Sequence, residues 1–406
     1  MNPQSAYSHR TERLYEDNEN NIFEFTASVI GAYPVQDGLF AVELDRTAFF
    51  PEGGGQYCDT GFMAHSEGEA AVIHVEISEG RIIHTVSGEI PVGTTVTCRL
   101  DREKRLRRMQ NHSGEHIISG LLHSLYGIEN AGFHMTEGEV NEITIDTAAP
   151  LTDEMLRKVE KLANKAVLEN RRIICHYPSP ELLERTEYRS KTELSGEIRL
   201  VEIEGVDVCA CCAPHVARTG EIGPIHIKSF MKYKRGVRIF AVCGEDALDY
   251  LLMTADAASS IARLYSTRPE DSYSAVLRRE EFIKDKLSEI YSLREALLEY
   301  KLKEIAASSA DRSKNICVFE SGCDAALMRK MVNEGMKLTD ACFAVFSKDG
   351  ELTRYTVGSE KHDLSILSGR IREELGGKGG GKGSMITGVC TASEEVIRDF
   401  FAARDI

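Results

Sequence analysis

Two short clusters of metal-binding side chains, far apart in the chain, constrain its fold more than any other feature. His112-Ser113-Gly114-Glu115-His116 and Cys211-Cys212-Ala213-Pro214-His215 together supply three imidazoles and a thiolate. That is a ligand set for zinc. Residues four apart on a helix differ by about 40° in azimuth, so His112 and His116 can turn both rings toward one ion. The other two ligands must come from a second element, so a fold that uses both clusters has to close a long loop. Cys209, Cys211 and Cys212 crowd that second element. The C-x3-H count from Cys211 to His215 gives a local bidentate pair of the usual type; Cys209 or Cys212 is the alternative sulfur. Without the cysteines, the two histidines would read as ordinary helix-face residues.

Composition sets the class. At 406 residues the chain exceeds one ordinary core, which points to two to four domains. With 42% hydrophobic and 28% charged residues it reads as globular, and its polar first twenty residues hold no signal-peptide core. No apolar run approaches the ~18 residues of a membrane span, so a cytoplasmic location is expected. Eleven cysteines at irregular spacings read as reduced thiols rather than a disulfide framework. A formal charge of −15 argues against indiscriminate binding to polyanions but leaves room for a local basic groove. Two runs are candidates for phosphate contact: residues 102–108, with Arg105 and Arg108, and residues 228–238, with Lys232, Lys234 and Arg235. The alternative is two solvated faces.

The expected architecture is multidomain α+β. Short apolar stretches separated by Gly, Asp and Ser predict a small β-barrel over residues 1–100. A helix is predicted over 102–126, interrupted or re-aimed near Ser113-Gly114 and stopped by Gly127. A strand over 141–146, a helix over 152–170 capped by Thr152, and alternating strands and loops to 242 complete a central α+β domain, 101–245. Residues 246–310 read as a helical coiled-coil spacer punctuated by Pro269. Val276, Ile283, Leu287, Ile290 and Leu297 form a seam that Arg294 and Lys301 interrupt, and Leu293, Leu298, Leu302 and Ile305 widen the stripe in a way that favours burial at one end. A homodimer through 270–305 is one expectation, a self-folded hairpin another. Residues 311–406 compose a small α/β domain.

Three further constellations bear on chemistry. Pro51-Glu52-Gly53-Gly54-Gly55-Gln56 allows positive φ and close approach of a ligand to its amides, or it is simply a tight turn. The glycine run 376–383 carries Lys378 and Lys382 and reads either as a flexible linker or as a backbone-lined phosphate loop; it lacks the Ser or Thr of a P-loop. Residues 112–116 also match H-x-x-E-H, a zinc-peptidase pattern in which Glu115 would be general base. His123 shares the azimuth of His116 but lies about 10 Å further along the axis, which suits packing.

In this order the blocks resemble the editing half of alanyl-tRNA synthetases and the free-standing alanyl-tRNA editing proteins (AlaX type, long form). Residues 47–56 resemble the glycine-rich motif ending in Gly-Gly-Gln, 111–116 the first metal motif, and 211–223 the second. Residues 236–239 and 244–248 continue the likeness, and the last domain resembles a DHH-associated domain. The resemblance implies hydrolysis of serine or glycine from tRNA mischarged at the alanine acceptor. It implies Zn2+ on His112, His116, Cys211 and His215, and catalysis by Gly54, Gly55, Gln56 and Glu115. Lys378 and Lys382 join the two basic runs as expected RNA contacts. One departure stands out: the usual Cys-Gly-Gly-Thr-His is here Cys-Cys-Ala-Pro-His. No segment for amino-acid activation is evident, so aminoacyl-tRNA synthesis in cis is not expected. The competing classes are a zinc peptidase and a non-catalytic tRNA-binding module with structural zinc.

Overall fold

The computed structural model describes residues 11–138, 141–190, 197–309, 311–381 and 383–403. It divides into two compact units, Met1–Ser260 and Ile261–Ile406.

In the first unit six strands, β1 (Glu24–Pro34), β2 (Phe40–Leu44), β3 (Gly61–His65), β4 (Gly68–Ser78), β5 (Arg81–Val86) and β6 (Thr95–Leu100), close into a barrel in the order β1-β2-β5-β4-β3-β6. Alternation along β1 puts Phe25, Ala27 and Val29 inside, where they meet Leu44, Met63, Val86 and Val96. Closure removes the exposed edges that six short strands would otherwise present.

Helix α1 (Arg102–Tyr126) follows directly. The Asp101 side chain accepts from the Lys104 amide, and Gly127 ends the helix at φ +64°. The helix is continuous, so the expected interruption near Ser113-Gly114 does not occur. Gly114 serves packing instead: a Cβ there would stand 2.3 Å from Cys243 Sγ.

Around α1 lie a four-stranded sheet and a three-stranded sheet. The first comprises β7 (Asn130–Thr136), β8 (Glu142–Thr147), β12 (Ile225–Tyr233) and β13 (Gly236–Cys243), in the order β12-β13-β8-β7. The second comprises β9 (Ile173–His176), β10 (Leu200–Ile203) and β11 (Asp207–Ala210). Helix α2 (Asp153–Leu168), capped by Thr152 as expected, buries Leu156, Val159 and Ala163 in the same core as Ile117, Ile118 and Ile143. Helix α3 (Glu245–Leu264) leads out of this unit.

In the second unit the long helix α4 (Ser272–Ser308) leaves Ile283, Leu287, Ile290, Leu293 and Leu297 exposed. Near its C-terminal end Leu298 is buried, and with Leu302 and Ile305 it packs on Leu327, Met331, Val332 and Phe343. That is the burial at one end that the widened stripe predicts. The sheet there runs β14 (Ile316–Phe319), β15 (Phe343–Asp349), β16 (Leu352–Gly358), β18 (Met385–Cys390), β17 (Lys378–Gly380), with helices α5 (Ala325–Gly335), α6 (Ser365–Glu374) and α7 (Glu394–Ala402). The glycine run is therefore neither a linker nor a free loop over its middle: β17 is an edge strand paired antiparallel with β18. Among the described residues no helix is long and apolar enough to cross a membrane.

Candidate metal centre

Helix α1 carries His112 and His116 on one buried face, and the chain leaving β11 carries Cys211 and His215 toward them. The second pair is held in place: Arg199, itself buried, donates to the Cys211 carbonyl at 3.1 Å and the Ala213 carbonyl at 2.9 Å, holding the Cys-x3-His turn. Ala213 packs into the barrel core, and Cys211 touches both cores of this unit. The four side chains each offer a ligand atom within 4.8 Å of the others. The ring centroids of His112, His116 and His215 lie 5.4, 4.9 and 4.7 Å apart, and Cys211 Sγ is 3.6 Å from His112 Nε2.

Each imidazole is held from behind through Nδ1. His112 meets Gln56 Oε1 at 2.8 Å, His116 meets Asp207 Oδ2 at 3.2 Å, and His215 meets Ser113 Oγ at 3.0 Å. A carboxamide oxygen and a carboxylate only accept, so His112 and His116 each carry a proton on Nδ1, and His112 turns Nε2 toward Cys211. Arg189 donates to both Asp207 oxygens at 2.7 Å and fixes that carboxylate. Such outer partners orient metal-bound imidazoles.

The electrostatics agree with the geometry. Burial disfavours the Cys211 thiolate, yet the imidazoles around it, His112 foremost, pull the thiol well below its ordinary value. Burial opposes charge on His116, but Asp207 and Cys211 outweigh it and raise that ring well above an ordinary imidazole. His215 goes the other way, pushed down by burial to about 3. Its Nε2 is buried without a hydrogen-bond partner in the protein. A buried imidazole nitrogen without a hydrogen-bond partner beside a stabilised thiolate is what a tetrahedral Zn2+ would satisfy, and a set of three imidazole nitrogens and one Sγ fits that ion. Of the alternative sulfurs, Cys209 groups with His116 and Asp207, whereas Cys212, exposed, belongs to no such group among the described residues.

A cleft of about 450 Å³ opens beside the centre, lined among others by Gly54, His112, Phe133, Tyr177 and Cys211. Gly54 and Gly55 adopt φ of +62° and +82°. At Gly55 a Cβ would stand 2.6 Å from the Phe133 carbonyl, so glycine alone brings this loop against β7 and Gln56 against His112. Glu115 is buried; it accepts from Ser119 Oγ at 2.6 Å and from Asn130 Nδ2, and its other oxygen lies 3.9 Å from His116 Nε2.

Within the first basic run, Arg102 and Lys104 are exposed, whereas Arg105 and Arg108 turn inward. Arg105 is 3% exposed and Arg108 6%. Arg105 Nε donates to Asp59 at 2.9 and 3.0 Å; Arg108 binds Glu137 and the Cys58 carbonyl. Two buried guanidiniums matched by carboxylates clamp the end of the glycine loop to α1. Lys232, Lys234 and Arg235 are exposed on the β12–β13 hairpin, and Lys378 is exposed on β17. Lys382 lies outside the described residues. Asp207, Ser113, Arg189 and Arg199 went unseen in the sequence, where no local pattern marks a partner supplied across the fold.

Residues 7–104 match the family model for tRNA synthetases class II (A), and residues 198–239 match that for the threonyl and alanyl tRNA synthetase second additional domain. An alanine–tRNA ligase of Methanopyrus kandleri is 35% identical over 305 residues, 73% of this chain and 33% of the ligase. One of Ignicoccus hospitalis is 32% identical over 395 residues, 95% of this chain and 42% of the ligase. The chain thus spans less than half the length of these ligases. The alanyl-tRNA editing protein Aarsd1-A of Xenopus laevis is 28% identical over 386 residues, 88% of this chain and 89% of that protein. The chain is thus similar to alanine–tRNA ligases over less than half of their length and to an alanyl-tRNA editing protein over most of its length.

Proposed function

We propose that this chain is an aminoacyl-tRNA deacylase that releases serine or glycine from tRNA mischarged at the alanine acceptor. The observation that carries the reading is the convergence of His112, His116, Cys211 and His215 beside a cleft that Gly54 of the glycine loop also lines. The likeness to a named alanyl-tRNA editing protein supports it. A second, hydrolytic selection is needed because side chains that differ by one methyl or hydroxyl are separated by only ~1–3 kcal/mol in one binding step.

Those four side chains would hold Zn2+, which when bound would supply a fixed point for the aminoacyl end, and Lewis-acid polarisation only by giving up one protein ligand or expanding to five. Gly54 and Gly55 line the path of the acyl group with backbone. Gln56 orients His112 through Oε1 and keeps an amide donor, Nε2, with no partner in the protein. Glu115 takes the proton of the attacking water, with Ser119 and Asn130 holding its carboxylate. Lys232, Lys234, Arg235 and Lys378 contact RNA phosphates. Against the peptidase reading stands the thiolate of Cys211, which donates charge and blunts the acidity that amide hydrolysis demands.

The test is incubation with Ser-, Gly- and Ala-tRNA of the alanine acceptor, with and without chelator. The expected result is release of serine or glycine, retention of alanine, and loss of release on chelation. Glu115→Gln should slow release by about 10²-fold or more with metal content unchanged. Intact esters on all three tRNAs would exclude the deacylase.

A further inference from the structure

A second group of ligating side chains lies on the barrel, apart from the four residues described above. Glu52, Cys58 and His74 each offer a donor atom within 4.8 Å of the others. Cys58 is buried, His74 half-buried and Glu52 exposed, and Cys58 Sγ stands 3.3 Å from His74 Nδ1.

The backbone brings these three together by two devices. The Glu52 amide donates to the Val75 carbonyl at 3.0 Å, which staples the glycine loop alongside β4. A bulge in β4 between Val72 and His74 breaks the two-residue alternation, so Val72 and Val75 are both buried and His74 is re-aimed. The far nitrogen of the ring, Nε2, lies 3.9 Å from Glu76. An imidazole with a carboxylate at one nitrogen and a thiol at the other has the surroundings of a metal ligand. Thiol, imidazole and carboxylate are the donors of zinc and neighbouring divalent ions. Zn–S and Zn–N bonds of about 2.3 and 2.0 Å set an S-to-N edge of about 3.5 Å in a tetrahedron, close to the separation seen here.

We propose that Glu52, Cys58 and His74 form a second site for a zinc-type divalent cation, with water completing the sphere on the exposed side of Glu52. Glu52 and Cys58 bracket the segment 53–57, so an ion there ties together both ends of the loop that presents Gly54 to the cleft and Gln56 to His112. The site acts on the reaction by positioning that loop and does not touch substrate.

Titration of the full chain with Co2+, followed by thiolate-to-cobalt absorption, tests this. Two equivalents per chain with different spectra are expected, one tight and one weaker. Cys58→Ser and His74→Gln should each abolish the weaker equivalent and leave the tight one. Cys211→Ser should abolish the tight one and leave the weaker, and in that variant Co2+ should slow amide exchange over 53–57. His74→Gln, at a half-exposed position, answers the question even where Cys58→Ser disturbs the barrel. A titration of the unsubstituted chain that ends at one equivalent overturns the proposal, as does a second equivalent that survives both Cys58→Ser and His74→Gln. Separate variants read the two sites, so failure here leaves the four-ligand centre standing.

Discussion

On α1, Arg105 and Arg108 turn inward and are consumed by Asp59, Glu137 and backbone carbonyls, whereas on the β12–β13 hairpin Lys232, Lys234 and Arg235 stand in solvent. The same kind of residue thus does two kinds of work. At the root of α1 the three-residue spacing puts both guanidiniums on the side facing the barrel, where a buried cation is tolerable only with a matched anion. On the hairpin, Lys234 sits at φ +50° in the turn, and the aromatic ring within reach of it and of Arg238 is Tyr233. Density of positive charge along the chain does not distinguish a structural clamp from a solvated cation; the availability of a buried carboxylate does.

The largest expected effect tests the clamp. Arg105→Ala strands the Asp59 carboxylate, which is 1% exposed and also bonded to the Phe50 amide, and should cost about 3–5 kcal/mol in urea unfolding. Lys234→Ala should stay within about 0.5 kcal/mol of the parent. Equal midpoints for the two variants would erase the contrast.

Next in size is a buried base that lacks an acid. His84, inside the barrel, donates from Nδ1 to the Val42 carbonyl at 3.0 Å and accepts at Nε2 from Thr47 Oγ1 at 2.9 Å. Burial pushes it down to about 4. Its folded value lies below its unfolded value near 6.5, so between those limits the unfolded chain binds the proton and the folded chain does not. Stability conferred by this group is therefore full above about pH 6.5 and falls as pH drops toward 4, by about 3 kcal/mol in all. Amide exchange in β1 and β5 at pH 7 and pH 4.5 measures the loss, and His84→Gln should flatten it. An unchanged acid sensitivity in that variant would assign the proton to another group. His84, facing a carbonyl and a hydroxyl with no carboxylate opposite it, gives its proton up.

Local signals in the chain were enough to place α1 and α2, because Asp101, Gly127 and Thr152 cap them through contacts a few residues long. The geometry that brings Cys211 beside His215 is equally local, a matter of four residues on one turn. Gly114 misled, because a glycine that admits Cys243 looks the same in sequence as one that bends a helix. The middle of the glycine run misled likewise, since pairing of Lys378–Gly380 with β18 depends on a partner strand rather than on its own composition. Asp207 behind His116 and Gln56 behind His112 are set by how β11 and the glycine loop dock on α1. No spacing within either segment encodes that register. What periodicity and capping determine was legible, and what sheet register and interlayer contact determine was not.

The outward half of the contrast gives the smallest effect, and it appears in salt dependence rather than in stability. If Lys232, Lys234 and Arg235 lie against phosphates, each contact releases counterions and contributes to the slope of log affinity against log salt. The triple alanine variant should lower the magnitude of that slope by about 2–3 units, measured by tRNA binding from low to moderate salt, while the urea midpoint stays put. Arg107→Ala supplies the intermediate case: its guanidinium, 29% exposed, is tied to Asp246 and so should move stability a little and the salt slope hardly at all. A slope that changes more for Arg107→Ala than for the hairpin triple would relocate the RNA path from β12–β13 to the root of α1, and with it the direction from which an acceptor end enters the cleft.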